Sequence, residues 1–413
     1  MVGKISLRNL GTFSSLKNPS FRLYFWGMGG MMAAMSMQLM VRSLLAYRLT
    51  GSAAILAGVV LAYSGPTLFV ALFGGVIADR MQKKYVLSVG LVGSALVALG
   101  IALALTLGYL SAERAGSWWI MVVAGLLQGS IDGLILPTRQ AIISEIVAKE
   151  EVMNAVSLAN MEVNALRFLA PAVAGFLIDA LGFQAIYYMM AGLDIMGMVF
   201  IAFMKRTSAI IIRGRGVLVD IKDGLQYIRR ETVILFVLLF ALVTVVLSMP
   251  YQMLLPIFTD DILKVGATGL GVLMSASGVG AVVSSLFLAS LPNKKRGLMM
   301  LVSSLILGIA LTGFSFSSSW PISLTIVVIL GLGQSGRVTL ASTLLQYYSE
   351  DGYRGRVMSI FMMEAGLSSF ASFAAGLLTE AIGVQWAVGG FAIVLTFISV
   401  LMLLFVPRLR RLD

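Results

Sequence analysis

Ionisable side chains occur inside stretches that are otherwise apolar enough to cross a bilayer: Arg42, Asp132, Glu162, Arg167, Asp194, Arg337 and Glu364. Charge at that depth is expensive, so each is a functional candidate by default. The acids Asp132, Glu162, Asp194 and Glu364 are candidate proton carriers, because a carboxyl taken out of water can exchange a proton as its surroundings change. Gln38, Arg42, Arg139, Arg167 and Arg337 are candidate lining residues of a substrate cavity. The competing reading of any one of them is a structural buried ion pair. Asp132 and Arg139 are two helical turns apart and share a face, whereas Glu162 and Arg167, five apart, do not stack and each pairs elsewhere. The chain has no cysteine and no histidine, which removes thiolate and imidazole metal sites and leaves carboxylates as the groups for proton coupling. No metal site or cofactor is expected. A phosphate-cradling G-x-x-x-x-G-K-[ST] loop and a nucleophilic triad are absent from the sequence, so the chain reads as no enzyme and ATP drives nothing directly.

The elements that must hold these residues are membrane helices. Hydrophobic residues make up 59% of the 413 and charged residues only 12%, about half the charged share of a typical soluble domain. About twelve apolar stretches reach the length of a span, and backbone groups in lipid must be satisfied within each segment, so they are helices. The net charge of +11 is a topology signal and no mark of nucleic acid. Basic residues crowd alternate connections: Lys4 to Arg22, Arg80 to Lys84, Arg139 to Lys149, Lys205 to Arg230, Lys294 to Arg296, Arg354 and Arg356, and Arg408 to Arg411. The opposite loops hold Arg48, Arg114 and Lys264. By the positive-inside rule both termini and the central loop are cytoplasmic, and no cleavable signal is expected at the start.

The first helix is expected over about Leu23 to Leu49, with Met28, Met31, Met32, Met35, Met37 and Met40 either facing a ligand or filling a packing or lipid-facing role. The fourth is expected to end near Pro137-Thr138-Arg139, the fifth to span about Val152 to Ile178 and the sixth about Phe183 to Met204. Residues 1–204 form one six-helix unit, 205–231 a cytoplasmic loop whose Val217 to Ile228 stretch suits an amphipathic surface helix, and 232–413 a second unit. A weak internal repeat supports this division: Gly175-Phe-Leu-Ile-Asp179-Ala-Leu-Gly182 returns 201 residues later as Gly376-Leu-Leu-Thr-Glu380-Ala-Ile-Gly383.

Between the second and third apolar runs lies Gly75-Val-Ile-Ala-Asp79-Arg80-Met-Gln82-Lys83-Lys84. It resembles the signature loop G-x-x-x-D-R-x-G-[RK]-[RK] of the major facilitator superfamily, departing where Gln82 replaces the second glycine. The resemblance extends from about residue 16 to 407 and implies twelve helices in two pseudo-symmetric six-helix bundles, with alternating access around a central cavity. It implies that Gly75, Asp79, Arg80, Lys83 and Lys84 act as a switch loop, Asp79 meeting Arg356 or its helix N-terminus to lock the outward-open state. Ala170-Pro171-Ala-Val-Ala-Gly175 is similar to the G-P-x-x-G-G motif that the family links to export, although a packing kink would serve as well. Gln128-Gly129 matches R-x-x-Q-G without its arginine, Gly125 standing there. Pro137-x-Arg139 and Pro256-Ile257-Phe258 look most like the bacterial efflux branch of macrolide and siderophore exporters. The expected function is therefore proton-driven efflux of an amphipathic small molecule by a monomer in a bacterial or archaeal cytoplasmic membrane. Two alternatives stay open: a carrier of an organic anion or lipid by uniport or symport, and a non-transporting scaffold or receptor.

Overall fold

The structure is a computed structural model and describes residues 13–204, 217–291 and 294–412, apart from the side chains of residues 72–80, 217–222 and 365. The described chain is all-α. Its first helices are α1 (Pro19–Thr50), α2 (Ala53–Arg80), α3 (Lys83–Thr106), α4 (Trp119–Ile146) and α5 (Val152–Ala202). After α6 (Val217–Arg230) come α7 (Thr232–Ser248), α8 (Pro250–Ile257), α9 (Gly266–Ser290), α10 (Arg296–Ser315) and α11 (Trp320–Tyr348). The chain closes with α12 (Arg354–Met362), α13 (Glu364–Ile382), α14 (Val384–Phe405) and the single turn α15 (Pro407–Arg410). Among the described residues, 10 stretches are long and apolar enough to cross a membrane.

Local chemistry sets the boundaries, and several differ from those expected. α1 begins at Pro19, earlier than Leu23, because the Asn18 side chain accepts from the backbone N–H of Ser20 at 2.9 Å and Pro19 takes the first helical position. It ends at Gly51, whose φ of 63° is left-handed. Nor does α4 stop at Pro137; it continues to Ile146. Hydroxyl-to-carbonyl bonds of the kind Thr138 makes to Leu134 at 2.8 Å help membrane helices carry a proline. α5 is one run by hydrogen bonding but is divided at Gly182 (φ 83°, ψ 171°) into arms 152–181 and 183–202. The corresponding Gly383 has φ 80°, so the sequence repeat is also a backbone repeat. α6 forms as the amphipathic pattern predicts, and its Tyr227 ring stacks on Tyr353 at 4.2 Å.

The helices of residues 13–204 are termed the first group and those from 232 onward the second: in the first, α2 packs on α4, and α1 and α3 pack on α5; in the second, α9 and α10 pack on α11, and α10 on α14. The groups meet along α5 with α9 and α2 with α13. The buried apolar side chains repeat this layout. One cluster runs through both groups, from Leu44 and Ile178 to Phe258 and Phe314, at the end away from the basic loops. At the basic end the buried side chains among the described residues fall into two clusters, one around Phe21, Leu87 and Ile142 and another around Met300, Leu345 and Phe361. Met28, Met31, Met32, Met37 and Met40 are buried in these clusters, which rules out the lipid-facing reading for them.

Candidate functional site

The polar interior of the first group is built by close helix approach. Gly125, Gly129 and Gly133 recur every fourth residue along α4 and face α2, where a Cβ on Gly129 would lie 2.0 Å from the Tyr63 carbonyl oxygen and one on Gly133 2.9 Å from that of Thr67. Small residues allow such contact in lipid. The approach brings the Tyr63 hydroxyl to Asp132, to which it donates at 2.7 Å. Gln128, one turn before Asp132, donates from Nε2 to Asp132 Oδ1 and to Ser94 Oγ, each at 3.0 Å. On the other side, Gly27 and Gly30 of α1 meet the backbone of the second arm of α5 at Gly197 and Leu193. That contact sets Asp194 in the same interior. Gln38, Ser94, Gln128, Asp132 and Asp194, with Met31 and Met35, line one small cavity.

Arg42 lies beside this cluster, 5% exposed. Its guanidinium carbon sits 3.8 Å above the Tyr63 ring, a stacking worth about 2 kcal/mol when desolvated. Asp132 is the nearby carboxylate that acts on its charge. Even so, Arg42 Nε and Nη1 and the Tyr187 hydroxyl are buried without a hydrogen-bond partner among the described residues. An unpaired buried guanidinium costs several kcal/mol. The arrangement thus presents donors to an anion and carboxylates to a cation or proton within one interior.

The second group holds a looser counterpart. Arg337, 1% exposed, reaches Glu364 Oε2 at 3.5 Å and the Ala241 carbonyl at 3.4 Å, and its Nε has no partner among the described residues. Glu364 opens α13 directly after the α12–α13 break. Of the other sequence candidates, Glu162 lies against Gly29 of α1, and Arg139 is the charge that acts on it. Arg167 is exposed and apart from the cavity. Ala170, Pro171 and Gly175 form a packing seam with α9: a Cβ on Gly175 would lie 2.3 Å from the Ala267 carbonyl oxygen.

The side chains of Gly75, Asp79 and Arg80 lie outside the described residues. Lys83 is buried in an ion pair with Glu145 of α4, and Lys84 donates to the carbonyls of Ala202 and Met204 at the end of α5. These two lysines bind the loop to its own group. Arg356 stands 3.9 Å from Asp223 of α6. Spacing along the chain held no sign of Tyr63 or Tyr187, because their relevance arises from contacts between helices; the glycine row on α4 was the one readable hint for Tyr63.

Apolar helices long enough to cross a bilayer around a polar, charge-bearing interior define a multi-pass membrane protein. Residues 10–413 match the family model described as transmembrane secretion effector, and the chain belongs to that family of the major facilitator (MFS) class. It is 25% identical over 327 residues to a staphyloferrin A transporter of Staphylococcus aureus, covering 77% of this chain and 79% of that one. It is 24% identical over 364 residues to an uncharacterised MFS-type transporter of Bacillus subtilis, covering 84% of each. A solved D-xylose–proton symporter superposes with a TM-score of 0.73 at 12% identity, covering 94% of this chain and 98% of that one. The chain is accordingly a multi-pass, non-enzymatic MFS protein with bacterial relatives, performing secondary-active, alternating-access transport of a small molecule. Transport replaces the scaffold alternative.

Proposed function

We propose that this protein carries a small organic anion, and that Arg42 receives the anionic group. The observation that carries the reading is the buried Arg42 guanidinium, stacked on Tyr63 but with Nε and Nη1 lacking a hydrogen-bond partner among the described residues, as does the buried Tyr187 hydroxyl in the same group. An anion there would supply the missing acceptors, and charge-assisted bonds of this kind are the strong ones. The relative named as a staphyloferrin A transporter agrees with a polar, siderophore-like cargo. Arg337 with Glu364 is the second cationic position, and Asp132 and Asp194 are the acids placed to couple transport to protons. The unit is a monomer of twelve spans, six in 1–204 and six in 232–413, joined by a linker at 205–231, with the basic loops and both termini cytoplasmic. In that orientation the two separate clusters lie at the cytoplasmic end and the shared core at the external end. Asp79 with Arg356 remains the proposed lock of the opposite state.

Binding to the purified protein tests the assignment. Citrate and staphyloferrin A are titrated calorimetrically against wild type, Arg42→Gln and Arg42→Lys, with ethidium as the cationic comparison. An anion should bind wild type and lose roughly tenfold or more in affinity in Arg42→Gln, as expected for charged hydrogen bonds. Binding of ethidium alone, unaffected by Arg42→Gln, would overturn the anion reading. A second reading, proton-driven export of amphipathic compounds, is favoured by the secretion family's description and by the Ala170–Gly175 seam; that ethidium result would support it.

A further inference from the structure

The end of the molecule away from the basic loops carries a set of polar contacts between the two helix groups. Arg48 of α1 pairs with Asp260 through two bonds, Nε to Oδ2 at 2.8 Å and Nη2 to Oδ1 at 3.1 Å. Beside it the Tyr47 hydroxyl donates to Asp261. Asp179 Oδ2, near the end of the first arm of α5, accepts from the Thr268 backbone N–H at 2.8 Å and its hydroxyl at 2.7 Å. Glu380 Oε1, near the end of α13, accepts from the Ala54 backbone N–H at 3.2 Å and from the Ser52 hydroxyl.

The last two contacts are one device used twice. Asp179 and Glu380 are the acids of the internal repeat, each three residues before a glycine of positive φ, Gly182 and Gly383. Each reaches across to the first turn of a helix in the other group: Asp179 to α9, which begins at Gly266, and Glu380 to α2, which begins at Ala53. The first N–H groups of a helix lack internal partners, and its N-terminus favours negative charge. Each carboxylate therefore gains both hydrogen bonds and the helix dipole only while the two groups are together at this end. Both acids are exposed to solvent, so opening this end costs them these bonds and the helix dipole, a surface-scale contribution each.

We infer that Asp179 and Glu380 form a reciprocal latch that closes this end of the transporter, each acid capping a helix of the opposite group, and that the latch sets the balance between the two access states. Arg48–Asp260 is a further bridge between the two groups at this end, and the Asp179 charge also acts on its guanidinium; the pair reinforces the same closure. Substrate plays no part in the latch, so the inference stands or falls independently of the anion reading.

The test uses the full-length protein in lipid nanodiscs. Because the chain contains no cysteine, Leu107→Cys and Ser318→Cys place one spin label on each group at the latch end without further engineering, and Met153→Cys with Ser290→Cys report on the basic end. Electron–electron distance distributions are recorded for otherwise wild-type protein, Asp179→Ala, Glu380→Ala, the double variant, and Asp179→Asn with Glu380→Gln. Each alanine change should raise the ratio of long to short distances at the latch end roughly two- to five-fold, the range of a helix-terminus charge. The effects should multiply in the double variant, with the opposite change at the basic end. The amide pair, which keeps an acceptor but removes the charge, should fall between. Unchanged distributions at both ends in folded single and double alanine variants would overturn the latch. So would an effect of one acid with none of the other, since the device is reciprocal.

Discussion

Asp132 and Arg42 show how much of this protein's behaviour rests on single buried charges whose neighbours come from other helices. The Asp132 carboxylate is matched on both oxygens, by the Tyr63 hydroxyl and the Gln128 amide. Arg42 has the face of the Tyr63 ring over its guanidinium, and its Nε and Nη1 have no hydrogen-bond partner among the described residues. Tyr63 therefore serves both charges, and Tyr63→Phe separates its roles: the ring remains over Arg42 while Asp132 loses a donor. Removing one partner of a buried polar pair costs about 1–3 kcal/mol. Tyr63→Phe is expected to lower the detergent-solubilised melting temperature measurably while preserving Arg42-dependent binding. Loss of binding with no change in melting would instead place the hydroxyl itself on the substrate. Asp132 and Asp194 were readable in the sequence as charges out of place in apolar runs. Their grouping around one cavity with Gln38 and Ser94 was not, because no spacing within one helix encodes which neighbour it will face.

At the scale of elements, glycine rows decide which faces touch. Gly129 admits the Tyr63 carbonyl so closely that any Cβ must displace backbone, so Gly129→Val should cost about 3 kcal/mol or more, at the upper end for overpacking. A Cβ added at Gly192 would meet nothing within 4 Å, and Gly192→Ala should leave the melt unchanged or raise stability by up to about 1 kcal/mol through helix propensity. Thermal unfolding of the two variants side by side checks the contrast. Element existence was legible from hydropathy, and the amphipathic α6 and the repeat around Gly182 and Gly383 emerged from pattern alone. Ends were less so. Pro137 reads as a stop in a soluble helix, but α4 runs past it to Ile146, and the early start of α1 depended on the Asn18 cap. The substitutions in the Ala170–Gly175 stretch also make sense at this scale, since what α9 requires there is small side chains against its backbone.

For the whole molecule, the buried side chains among the described residues form one shared core at one end and two clusters at the other, and in the proposed orientation, with the basic loops inside, the shared core lies on the exterior side. The orientation is checked by labelling with a membrane-impermeant maleimide: Arg114→Cys should react on intact cells, and Lys294→Cys only after permeabilisation. The reverse pattern would exchange the two sides. The central claim, secondary carriage of an organic anion through Arg42, is tested most directly by counterflow in proteoliposomes without ATP. Vesicles are loaded with excess unlabelled citrate or staphyloferrin A and diluted into a trace of the labelled compound. Carriage through Arg42 predicts transient accumulation of label in wild type for at least one of the two anions, lost in Arg42→Gln although that variant remains folded. Absence of accumulation for both anions, in vesicles where the same protein exchanges a cationic dye, would contradict it.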